Sequence, residues 1–93
     1  MNPRTLRNNE ELFEYLVQLG ESLQVHQKSE LAEIVNQASR FASGSASEFM
    51  HEAQAALELV KKDQPEYLSI DEIKDLEGVI TQIREAFQKI GGA

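Results

Sequence analysis

The stretch RFASGSASEF, Arg40 to Phe49, decides how the middle of the chain is read. It sets three serines, Ser43, Ser45 and Ser47, around Gly44 and between two phenylalanines. Such a stretch is either a reactive serine loop or a joint between two helices. The pattern on both sides favours a joint. Phe41 completes an apolar stripe arriving from the N-terminal side, and Phe49 opens a second stripe that runs on. Gly44 fits the left-handed stop that ends many helices. Ser45, with Glu48 three residues later, has the spacing of a capping box, and Ser47 then falls in the first turn of the next helix.

Helical periodicity extends outward from this joint in both directions. The segment before it runs from about Lys28 to Ala42, with Leu31, Ile34, Val35, Ala38, Phe41 and Ala42 on one face. The segment after it runs from Ala46 to Lys62, with Phe49, Met50, Ala53, Ala56, Leu57 and Val60 inward. Lys61 and Lys62 at its end suit the negative pole of the helix dipole. Nearer the N-terminus, Asn9 to Leu23 carries Leu12, Phe13, Leu16, Val17, Leu19 and Leu23 on one face. Asn8 with Glu11 reads as its capping box. Gly20 lies on the same face, where it permits a close backbone approach at a cost of up to about 1 kcal/mol in helix propensity. The apolar phase breaks near Gln24–Gln27, which predicts a turn there; one long bent helix over residues 9–42 is the competing reading.

The last segment has the clearest start. Pro65 stops what precedes it, Ser69 caps, Glu72 completes the box, and Leu68 and Ile73 have the spacing of a hydrophobic staple. Its stripe is Ile70, Ile73, Leu76, Val79, Ile80, Ile83, Phe87 and Ile90, and Gly91 supplies the stop. The expectation is an all-α fold: a small antiparallel four-helix bundle of two helical hairpins in up-down connectivity. It forms a single domain over residues 1–93, with residues 1–8 a flexible N-terminus.

Composition narrows the function classes. With no cysteine, disulfides, thiolate metal sites and cysteine nucleophiles are excluded. The opening MNPRTLRNNEE lacks the apolar run of a secretory signal, and nothing approaches the roughly 18 consecutive apolar residues of a membrane span. No membrane association is expected, and the cytoplasm is the default location. Sixteen acids against nine bases give a net charge of −7. The bases are scattered singly apart from Lys61 and Lys62, so there is no basic face to displace counterions from nucleic acid. A basic protein partner suits the same charge.

Candidate chemistry is sparse. Glu48 and His51 form the Glu-x-x-His spacing of di-metal helical bundles, but Leu23 stands where His26 would need its acid, and His51 falls on the outer face. A nucleophile elbow needs Gly-x-Ser-x-Gly after a strand, and neither condition is met around Ser45. Glu58–Lys62 and Glu85–Lys89 have the spacing of ordinary surface pairs. No catalytic, cofactor or metal residue is assigned, and no enzyme activity is expected. In size, acidity and helix count the chain resembles acyl carrier proteins, which would place a prosthetic arm on Ser45. Their Asp-Ser-Leu signature is absent, since Ser45 is flanked by Gly44 and Ala46. Phosphorylation of Ser45 or Ser47 is the related alternative, because a helix N-terminus favours a phosphate. The leading expectation is a protein–protein interaction module, as a monomer or a homo-oligomer. The apolar stripe of the last segment, about 140° wide, is generous for a helix with an outer face. Tyr15, Tyr67, Val79 and Phe87 are the candidate interface residues.

Overall fold

The turn expected near Gln24–Gln27 is present, and it divides residues 9–42 into two helices. The structure is a computed structural model that describes residues 9–63 and 65–89, excluding the side chains of Asn9, Phe87 and Lys89. The described residues form four α-helices: α1 (Asn9–Val25), α2 (Ser29–Ser39), α3 (Ala46–Asp63) and α4 (Ile70–Lys89). A 3₁₀ turn, Arg40–Ser43, follows α2, and no strand occurs among the described residues. The all-α class expected from the periodicity is therefore what forms. The cap at Asn8, the stop at Gly91, Ile90 and the terminal segment 1–8 lie outside the described residues.

The end of α1 is built by backbone hydrogen bonds. The Lys28 amide donates to the Leu23 carbonyl at 2.8 Å and the Gln27 amide to the Gln24 carbonyl at 3.1 Å. These are the paired bonds of a Schellman motif, which places one residue in the left-handed region. That residue is Gln27, with φ of 63°. Glycine is usual there, because a Cβ in this region costs roughly 1–2 kcal/mol. At Gly44 the opposite holds. Its φ of −105° is not left-handed, which corrects the expectation for that glycine. The exit from α2 is made differently: buried Ser39 donates from Oγ to the Asn36 carbonyl at 2.6 Å. Back-bonding of this kind bends helices, and the chain tightens into the 3₁₀ turn, with the Gly44 amide on the Phe41 carbonyl at 3.0 Å.

Consecutive helices make the close backbone approaches: α1 with α2, α2 with α3, and α3 with α4. Gly20 and Ala32 bring α1 against α2. A Cβ on Gly20 would collide with Asn36 Oδ1 and come within 3.8 Å of the Ala32 carbonyl, so the close approach read from the sequence is real. On α1 the buried face is Leu12, Tyr15, Leu16 and Leu23, whereas Phe13 is 39% exposed. Tyr15 thus takes the place expected of Phe13. On α3 the buried residues are the six expected. On α4 they are Leu76, Val79, Ile80 and Ile83, while Ile70 is 75% exposed because it opens the helix before its face meets the core. Two ion pairs cross from α3 to α4, Lys61–Glu77 at 3.7 Å and Glu58–Arg84 at 3.1 Å. Glu58 therefore reaches across to α4, not along its own helix to Lys62, and accepts a further hydrogen bond from Gln54 at 3.0 Å. For Glu85–Lys89 the lysine side chain lies outside the described residues.

Gln27→Gly is expected to stabilise the protein. Relief of the left-handed backbone gains roughly 1–2 kcal/mol, and the extra unfolded-state freedom of glycine takes back about 0.5–1 kcal/mol. Urea unfolding should show a net gain of about 0.5–1 kcal/mol. A loss of stability would mean that Gln27 is not left-handed in solution.

Candidate functional site

α1 and α4 meet through the linker that precedes α4. Pro65 is buried and its carbonyl accepts from the Leu68 amide at 3.1 Å, folding the linker into a turn. This turn carries Tyr67 to the end of α1. Its ring stacks on His26 with centroids 3.8 Å apart and planes 5° from parallel. The Tyr67 hydroxyl accepts from Ser22 Oγ at 3.1 Å. His26 is itself held at the helix end, with Nδ1 2.9 Å from the Ser22 carbonyl. Beside this clasp Lys28 pairs with Asp63 at 3.6 Å. Ser69 and Glu72 then start α4 with a complete capping box. The Ser69 amide donates to Glu72 Oε1 at 3.0 Å, and the Glu72 amide to Ser69 Oγ at 3.1 Å.

Beyond the clasp the two helices leave a groove between them, with a volume of about 180 Å³. Tyr15, Leu19, Leu68 and Leu76 give it an apolar floor, and Gln18, Ser22, Glu72 and Asp75 a polar rim. Among the described residues, no lysine, arginine or histidine lines it. Cofactor and drug-sized ligands occupy pockets of roughly 300–1,000 Å³, so this groove is of a size for one bulky side chain.

The structure redistributes the residues expected at an interface. Tyr15, only 8% exposed, and Val79, 0% exposed, are core residues, and neither is a surface anchor. Tyr15 also contributes to the groove floor. Tyr67 is half-buried and engaged with α1, so it shapes the groove's end. The side chain of Phe87 lies outside the described residues. Ser45 and Ser47 are exposed at the start of α3, with their hydroxyls 3.1 Å apart. The Glu48 amide reaches Ser45 Oγ at 3.4 Å, so Ser45 serves as the cap over a long bond. Glu48 and His51 are exposed on α3, and no group of three His, Asp or Glu placed to hold a metal occurs among the described residues. Gln18, Leu19, Ser22 and Asp75 were not singled out as site residues. Their signal was available: Tyr15, Gln18, Leu19 and Ser22 share a face of α1, as Glu72, Asp75 and Leu76 do on α4.

Comparison of the chain with protein-family models, curated proteins and solved structures gives no match.

The two serine caps differ in a way that stability resolves. Removing a serine cap costs about 0.5–2 kcal/mol. With its reciprocal bonds near 3 Å, Ser69→Ala is expected toward the upper end of that range. Ser45→Ala, losing one bond of 3.4 Å, is expected toward the lower end. Equal losses in thermal or urea unfolding would contradict this ranking.

Proposed function

We propose that this protein is a non-catalytic protein–protein interaction module. In this reading the four helices form one domain, an antiparallel bundle with up-down connectivity, working in the cytoplasm. The groove between α1 and α4 is its docking surface. A single observation carries the proposal: a cleft with an apolar floor and an acidic rim, at the place where the helices are not in close contact. The floor residues belong to the main core cluster, Tyr15 and Leu76 within it and Leu19 and Leu68 packed against it. A net charge of −7 favours a basic partner and steers its approach.

Gln18 offers a test that leaves the fold intact. It is exposed on the groove rim, and arginine has nearly the same helix propensity as glutamine. Gln18→Arg is expected to keep the helical circular dichroism while losing a stoichiometric partner that the original protein retains from its native extract. A partner held equally by both proteins, or none held by either, would remove the groove from the proposal.

A further inference from the structure

We infer that the joint between α2 and α3 is a hinge through which this chain exchanges helices with a second copy of itself. In the exchanged dimer the α1–α2 half of one copy packs on the α3–α4 half of the other. α2, the 3₁₀ turn and α3 then run together as one helix. The inference goes beyond the docking role of the groove and does not depend on what the groove binds. Its first support is the phase of the apolar stripes. Along α2 and the turn, Leu31, Val35, Ala38 and Ala42 pack in or against the core at spacings of four, three and four. Along α3, Phe49, Ala53, Ala56 and Val60 repeat those spacings. Seven residues, about two helical turns, separate Ala42 from Phe49. A helix carried straight through the joint therefore keeps both stripes on one face. Exchange requires this, because α2 and α3 are packed neighbours and each joined helix must offer both stripes to the other copy. The other joints do not allow it: Gln27 is left-handed between α1 and α2, and Pro65 stands between α3 and α4.

The second support is how the joint is held. The Gly44 amide donates to the Phe41 carbonyl at 3.0 Å, Ser43 Oγ to the Arg40 carbonyl at 3.4 Å, and the Glu48 amide to Ser45 Oγ at 3.4 Å. All three bonds are local, and a continuous helix replaces them with its own backbone ladder. Ala42, Ser45 and Ala46, near the middle of such a helix, are small and let two copies cross closely. Exchange remakes the core contacts between chains, which is why it is a low-cost route to a dimer. Ser43, Gly44 and Ser45 oppose it as poor residues for a helix interior. Gly44 is where that opposition is most easily removed. Its φ of −105° is not left-handed, and a Cβ there meets the Phe41 carbonyl at an ordinary 3.6 Å. Alanine thus fits the bent joint and favours the straight one.

The test uses the absence of native cysteine. One batch carries a donor fluorophore at Glu14→Cys on α1 and the other an acceptor at Lys74→Cys on α4, both exposed positions. The batches are mixed either folded, or unfolded in urea and then refolded together at high protein concentration. Light scattering gives the mass of each product. With Gly44→Ala in both batches, co-refolding is expected to give a dimer showing energy transfer, and mixing the folded proteins none. Each dimer contains two joints, so Gly44→Ala should raise the dimerisation constant at least about tenfold over the original joint. Two glycines inserted after Gly44 interrupt the straight helix and slacken the bent one, and this form should stay monomeric. The inference is overturned if co-refolded Gly44→Ala shows no transfer, if transfer appears without unfolding, or if the inserted form dimerises as strongly.

Discussion

The stacking of Tyr67 on His26 ties the linker that launches the last helix to the end of the first. The stack contributes about 0.5–1.5 kcal/mol beyond its buried area. The Ser22–Tyr67 hydrogen bond adds about 1 kcal/mol, and the exposed Lys28–Asp63 pair less than about 1 kcal/mol. Burial of seventeen apolar residues from all four helices outweighs that sum, so the clasp does not fold the protein. Its effect is geometric. The linker turn at Pro65–Leu68 ends against α1, and the capping box at Ser69 then launches α4 from that point.

The contrast with the other helix contacts follows from side-chain size and charge. α1 meets α2 through Gly20 and Ala32, which let the backbones close together. α3 meets α4 with Glu58–Arg84 and Lys61–Glu77 across the seam. Between α1 and α4 the facing residues are large, Tyr15 and Leu19 against Leu68 and Leu76, with carboxylates above them. Large side chains hold the helices apart.

Much of this was legible in the sequence, and the misses have physical reasons. Period alone gave four helices, the turn before Lys28, the complete inner face of α3 and the Ser69 box, because each is a local pattern. Phe13 and Tyr15 flank the same α1 stripe, and hydrophobicity ranks Phe13 higher. Packing chose Tyr15, which buries its ring in the core and also forms part of the groove floor. Gly44 drew the left-handed conformation on paper because it is a glycine. The α2 exit was instead taken up by Ser39 back-bonding and a 3₁₀ turn, and the left-handed residue is Gln27. The clasp was beyond reach for a different reason. Ser22 and Tyr67 are 45 residues apart, and no periodicity encodes a contact between a helix end and a distant linker.

Because the chain has no cysteine, spin labels can be placed on α1 and α4 without altering any native thiol. Glu14 and Lys74 are both exposed and lie on the two helices that flank the groove. With cysteine at these two positions, pulsed electron resonance should give one narrow distance distribution. The same pair combined with Tyr67→Ala, checked for helical content, should give a broader or longer one, since the stack and the Ser22 hydrogen bond are gone. A distribution unchanged by Tyr67→Ala would show that the groove does not depend on the clasp.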